Sequence, residues 1–399
     1  MERSAPLSLD PAAWAPPADV RRWQTRSLAV GVVGSAACLA GAFLQREQFF
    51  RSYLVGWLLW LGVAAGCLAL AMINHLSGGQ WGLMIRRVLE AATRTFPLLA
   101  LFAVPLAAGL PAVYLWARPE AVAADELLRH KAAYLNVPFF LVRTALYLAV
   151  LGGLAFVLSR ASRRQDETRE PAAHATLKKA SGLGLVLFVL LGTFASIDFL
   201  MSLDPHWYSS LYGPIFFTGQ GLSALCFAIV VAWLLAGQAP LAGVFAAKHF
   251  HDYGKLLLAF VMFWTYLSIS QFIIMWQANI PEEVAWFDHR MHGGWQVLAL
   301  GLILFHFAFP FMLLLSRSLK RRKGALAAVA TLLFVMRWLD LHWQAAPTFS
   351  PHHLAFHWLD LAAPLAVGGL WLAAFFRELG RRPLLPVGDP DIQEVLGHG

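Results

Sequence analysis

The stretch 53–73, YLVGWLLWLGVAAGCLALAMI, contains no Asp, Glu, Lys, Arg or His. A helix rising about 1.5 Å per residue needs roughly 20 apolar residues to cross a hydrocarbon core of about 30 Å, so this stretch reads as a transmembrane helix. Nine more stretches of comparable length and apolarity occur at 27–44, 96–116, 137–158, 181–201, 211–235, 256–277, 295–316, 325–344 and 354–376. Alternating ten-residue patterns are absent, and only helices or closed barrels satisfy backbone polar groups in lipid. The expected fold is an all-α polytopic membrane protein with ten spans.

Composition agrees. The chain is 59% hydrophobic and 14% charged, against about 25% charged in typical soluble domains. The net charge of +8 invites a nucleic-acid reading, yet the basic residues lie in short loops between spans, where they set orientation. With ten spans both termini share a side, and the segments on that side carry 23 of the 31 Lys and Arg residues. Because Lys and Arg mark the cytoplasmic side, both termini are expected inside. Residues 1–24 read as a cytoplasmic arm, 25–377 as the membrane domain and 378–399 as a cytoplasmic tail that binds a neighbour or stays mobile. No cleavable signal is evident, so the first span is expected to be retained. Residues 81–93 set apolar Leu83, Met84, Val88 and Leu89 opposite Arg86, Arg87 and Glu90, which suits a short interfacial helix.

Under this topology the ionisable residues within the spans crowd toward the outer face. Arg143 lies about two turns into span four, and Asp198 lies near the outer end of span five, followed by Asp204 and His206 in the loop. Arg337, Asp340 and His342 occupy the outer half of span nine, while His357 and Asp360 begin span ten. The inner halves read as almost purely apolar. Charge near the centre of a bilayer costs on the order of 2.5–3.5 kcal/mol per residue on insertion scales, so such a one-sided cluster marks a functional region. Arg337 and Asp340 are i,i+3 neighbours able to pair. His353, His357 and Asp360 are expected on one face of span ten, and His292, Gln296, Ala299, Ile303 and His306 as a stripe along span eight. At the inner side, His75, His249, His251, Asp252 and Lys255 read most simply as solvated loop residues.

Cys38, Cys67 and Cys226 fall within apolar stretches, and no CxxCH or CxxC motif is present. Covalent haem and cysteine-held iron–sulfur clusters are therefore not expected in this chain. Any metal-centred electron transfer belongs to a partner.

Two ordered motifs carry a resemblance. One is Ala195-Ser-Ile-Asp-Phe-Leu-Met-Ser-Leu-Asp-Pro-His-Trp-Tyr-Ser-Ser-Leu-Tyr-Gly213; the other is His251-Asp-Tyr-Gly-Lys-Leu-Leu257, continuing through Phe263-Trp264, Ser270-Gln271 and Trp276-Gln-Ala-Asn-Ile-Pro-Glu-Glu283. With the tail Pro383-Leu-Leu-Pro-Val-Gly-Asp-Pro390, they resemble the second NrfD-like, quinone-binding membrane subunit of alternative complex III, a bacterial quinol:cytochrome c oxidoreductase. The resemblance is most specific over about 190–300. It implies the fold of the polysulfide-reductase membrane subunit, with two four-helix bundles (about 53–201 and 211–344) and two peripheral helices, in the bacterial inner membrane. It also implies partners: a paralogous NrfD-like subunit, an iron–sulfur protein, multihaem and monohaem cytochromes c and small membrane subunits. The chain would not be active alone.

On that reading the substrate is a quinol (menaquinol or ubiquinol), and its two protons need bases in a low dielectric. Asp198, Asp340, Asp360 and His357 are the expected proton acceptors or relay, Arg143 and Arg337 the charge-stabilising groups, and Asp204 and His206 the proton exit. His292, Gln296, His306 and Gln271, among Trp264, Phe272 and Trp276, are the expected quinone pocket or polar path, and no metal site is expected. The rival readings are a proton-coupled secondary transporter, a structural anchor for peripheral redox subunits, and a haem b cytochrome ligated by His306.

Overall fold

The computed structural model describes residues 10–392. The outermost parts of the expected arm and tail lie outside the described residues. Among the described residues the chain is helical throughout, without strands. The long helices are α1 (Ala18–Leu44), α2 (Arg46–Ser77), α3 (Gln80–Thr93) with α4 (Phe96–Ala108), α5 (Val137–Thr168), α6 (Pro171–Leu203) and α7 (Tyr212–Leu235). They continue with α8 (Ala247–Ala278), α9 (Pro281–Met291), α10 (Trp295–Leu315), α11 (Lys323–Thr348) and α12 (Trp358–Leu379). Nine of these are long and apolar enough to cross a membrane, and the count reaches ten only if the bent pair α3–α4 is one span. The protein is thus a multi-pass helical membrane protein.

The third span departs from expectation. Instead of one helix over 96–116, α3 and α4 meet at a 41° bend, and the chain beyond Ala108 breaks into short turns at Leu110–Val113 and Leu115–Ala117. Pro97, Pro105 and Pro111 each lack the backbone N–H that a continuous helix requires. Nor is α3 an interfacial helix: Gly82 through Thr93 are all buried, including Arg86, Arg87 and Glu90.

The core follows from sequence. α2 is hydrophobic all round, and such a helix belongs inside a bundle; its apolar window is 100% buried, and that of α7, which packs along it, is 89% buried. α12 packs against α1 and α2, with 72% of its window buried, so the last helix belongs to the core rather than the periphery. Gly31 of α1 makes that packing close, because a Cβ there would stand 2.5 Å from the Leu370 nitrogen.

The tail also departs from expectation, folding back onto its own chain instead of staying mobile. Leu384, Leu385, Val387 and Ile392 are buried, and the Leu384 N–H donates to the Trp14 carbonyl at 2.9 Å. Asp389 accepts from Arg86 at 2.6 Å. Removing one partner of a buried pair costs about 3–5 kcal/mol, because the other charge is left uncompensated. Asp389→Asn should therefore lower the detergent-solubilised protein's unfolding midpoint, and adding Arg86→Met should restore most of the loss. An unchanged midpoint in the single variant would show that the tail does not hold this end.

Candidate functional site

The expected outer-side groups gather at one end of the bundle, but as three separate clusters. The first joins α5 to α6. Asn136 caps α5 by accepting from the Phe139 N–H at 2.9 Å, and Arg143 follows just inside the helix. Asp198 approaches from the last turns of α6 and is fully buried. Arg143 Nε and Nη2 donate to its two carboxylate oxygens, each at 2.8 Å. Tyr147 Oη donates to the same carboxylate at 2.6 Å. The guanidinium lies 3.8 Å from the centre of the Tyr134 ring and 4.3 Å from that of Phe139. A bidentate Arg–carboxylate pair with a third donor fixes the orientation of the carboxylate.

The second cluster is on α11. Arg337 pairs with Asp340, as the i,i+3 spacing predicts, and Gln344 Nε2 donates to Asp340 at 3.0 Å. Arg337 lies flat against α7 at Gly219, where any Cβ would strike the guanidinium. His306 lies on α10 where that helix packs against α11. Its ring stacks on Trp264 at 4.1 Å and it is fully buried.

In the third cluster, Asp360 on α12 accepts from Ser52 at 2.5 Å and from Gln48 at 3.2 Å, both on α2. Its other oxygen accepts from the His357 N–H at 2.8 Å, while His357 Nδ1 accepts from the Leu359 N–H at 3.2 Å. His357 and Asp360 thus cap α12 reciprocally. His353 lies off the helix, because α12 starts only at Trp358. His342 Nε2 lies 3.3 Å from the Ala355 carbonyl, and its ring stacks on Phe356.

The signature loop sits at the rim of this end. His206 is exposed and pairs with Asp125 at 2.7 Å. Lys131 Nζ, whose basicity burial lowers against the pull of Asp204 and Asp125, donates to the Pro205 carbonyl at 2.6 Å. The Trp207 ring stacks on Trp286 of α9 at 4.5 Å.

The expected pocket of His292, Gln296, His306 and Gln271 does not form. Gly293 and Gly294 both take positive φ, 61° and 98°, ending α9 before His292 and starting α10 at Trp295. His292 is left in the exposed turn, bonded to the Asp288 carbonyl at 2.9 Å. Gln296 is exposed as well, and Gln271 accepts from Ser209 at 3.3 Å. The stripe fails for a second reason: residues Ile303–Ala308 form a π-helical turn, which shifts the register. Trp295, Leu302, His306 and Pro310 face inward, while Ile303 is 58% exposed.

Two features escaped the sequence reading. Arg290 is fully buried and has no carboxylate partner among the described residues. It lies 3.6 Å over the Trp286 ring and donates to the Trp286 carbonyl at 2.8 Å and the Gln344 carbonyl at 2.6 Å. Burial pushes its pKa down to about 9, opposed by Tyr212 and Asp204. The Gln344 carbonyl lies in the last turn of its helix, so the negative end of that helix dipole, with the Trp286 carbonyl and ring, stands in for a counter-ion. The second feature is at the opposite end, which was expected to be dry. Arg87 pairs with Glu90 at 2.6 Å and with Asp166, Ser162 donates to Glu90 at 2.5 Å, and Asp389 neutralises Arg86. His75 and His249 are buried there too, which corrects the solvated-loop reading of both. Arg86, Arg87 and Glu90 were visible as a polar helix face; only their cover was not.

Open space near the Asp198 cluster is apolar. A groove of about 520 Å³ runs between α4 and α5, with Pro97, Ala103, Thr144 and Ala149 in its walls. It adjoins a cavity of about 20 Å³ near Trp57, Tyr114, Phe140 and Phe199. Another cavity of about 20 Å³ lies by Tyr147, Phe199 and Gln220. Each small cavity has room for about one water.

The chain matches no protein-family model and shows no significant sequence similarity to curated proteins.

Arg290→Met leaves the Gln344 carbonyl without its donor, at a cost of about 1–3 kcal/mol, while removing a desolvated charge returns part of it. Thermal unfolding should show net destabilisation, with faster proteolysis around 278–294. A variant as stable as the parent would mean desolvation outweighs the two carbonyl bonds.

Proposed function

We propose that the chain is an integral subunit of a quinol-oxidising complex, with a quinol site bordering its Asp198 end. The observation that carries this reading is the buried Arg143–Asp198–Tyr147 cluster beside a lipophilic groove. The two motifs resembling the NrfD-like subunit support it, since the first contains Asp198 itself.

The fit to a quinol is spatial. A ring cannot enter a cavity of about 20 Å³, whereas the groove of about 520 Å³ has the volume of an ordinary ligand pocket. Bound there, a quinol supplies two electrons and two protons. Asp198 is the group placed to take a proton, Tyr147 can pass one to it along the 2.6 Å hydrogen bond, and Arg143 limits the energy change as the carboxylate charge changes. Electrons leave through partners: an iron–sulfur protein and c-type cytochromes, held beside a paralogous membrane subunit and smaller ones. The proposed location is the bacterial inner membrane, with both termini cytoplasmic and the Asp198 end outward.

A second reading, structural anchoring of peripheral redox subunits, is favoured by one observation: Asp198, Asp340 and Asp360 each already have two or more donors. Asp198→Asn in the assembled complex separates the two. As proton acceptor, Asp198 should account for a fall in quinol oxidation of about 100-fold, with subunit composition intact. Full turnover with intact assembly would leave the anchor.

A further inference from the structure

The groove between α4 and α5 is more than a seam between helices. Its walls are built from small residues, Ala100, Ala103 and Ala107 on α4 and Ala145, Ala149 and Gly152 on α5. The bend between α3 and α4 and the prolines of α4 set this helix against α5. At its inner edge stands Thr144, which borders both the groove and the small aromatic cavity behind it.

Thr144 departs from the usual helical threonine, and although the Thr218 hydroxyl on α7 is likewise buried and unpaired, Thr218 lines neither the groove nor the two small cavities. Thr176, Thr193, Thr265 and Thr331 each donate their hydroxyl to the carbonyl four residues back, at 2.8–2.9 Å, which is the ordinary arrangement inside a helix. The Thr144 hydroxyl is buried and has no partner, and the residue as a whole is 9% exposed. A buried hydroxyl left unbonded costs about 1–3 kcal/mol, so this one is placed to meet a ligand. The residues flanking it in sequence and one turn on belong to the charged cluster: Arg143 pairs with Asp198, and Tyr147 donates to it.

We infer that this groove is the binding site for the quinol itself, with the isoprenoid tail along the alanine walls and a ring oxygen accepting from Thr144 Oγ. The inference rests on the quinol-oxidising reading and deepens it by assigning the ring a polar anchor on α5. A partner's membrane helix lying in the groove would cover the alanines but not extend into the aromatic cavity behind Thr144. A ring at the groove's inner edge adjoins that cavity, which has room for about one water on the side of Phe199, the residue after Asp198. Thr144 is thus a binding residue, and Asp198 remains the proton acceptor.

The test uses the purified complex, decyl-quinol as substrate and an azido-quinone as photoprobe. Ala149→Trp fills the groove and should raise KM about tenfold or more with kcat nearly unchanged. Thr144→Val should raise KM about two- to tenfold, the range expected for one lost hydrogen bond, and Thr144→Ser should restore it. The photoprobe should label peptides covering 96–107 and 141–152. Unchanged KM in both Ala149→Trp and Thr144→Val would overturn the inference, as would labelling elsewhere with only phospholipid or a partner helix crosslinked to the groove. If Asp198→Asn is inactive in the same preparation, that failure belongs to the groove alone. If the parent complex oxidises no quinol, the broader reading fails instead.

Discussion

A charge inside an apolar helix bundle must be neutralised within the reach of its own side chain, and this constraint organises both ends of the molecule. Arg143 and Asp198 meet as a two-point pair, and in doing so fix α5 against α6. Asp360 is held by Ser52 and Gln48, which fixes the start of α12 against the start of α2. At the other end Arg86, Arg87, Glu90, Asp166 and Asp389 tie α3 to α5 and to the returning tail. Between these two charged layers α2 and α7 pack without charged side chains, with Thr218, Gln220 and Ser223 as buried polar residues on α7. Even Arg290 obeys the rule, with two backbone carbonyls in place of a carboxylate.

The two charged ends differ in what surrounds them. At the Asp389 end the network is roofed by the chain's own tail, whose Leu384, Leu385 and Val387 are buried against it. At the Asp198 end a lipophilic groove opens beside the pair, and the loops above are tied by stacked rings and the His206–Asp125 contact. An ion pair closed off by its own chain is built to stay put. The Arg143–Asp198 pair stands one residue along α5 from Thr144 in the wall of a groove of ligand size, which is why the proposed function is assigned to that end.

Helical class and the approximate spans were legible because apolar runs of that length have few other uses. Arg337–Asp340 was legible because both residues lie on one helix at i,i+3. That Arg143 and Asp198 share an end followed from counting spans, but their direct pairing depends on how α5 packs on α6, which periodicity does not encode. The His292–His306 stripe is not realised because two left-handed glycines and a π turn break the straight 3.6-residue period on which it depends. Arg86, Arg87 and Glu90 were read as facing headgroups, since nothing local to residues 80–93 reveals that a segment three hundred residues later will cover them. Arg290 left no pattern at all: its acceptors are backbone carbonyls, which every residue carries.

The central claim is that Asp198 changes its protonation when quinol is oxidised at this end. Infrared difference spectroscopy of the complex, before and after quinol addition, reads this directly in the carboxyl C=O stretch. The account predicts a new band from a buried, protonated carboxylic acid that is absent in Asp198→Asn. A spectrum with no carboxyl band, or with the same band in the variant, would contradict it.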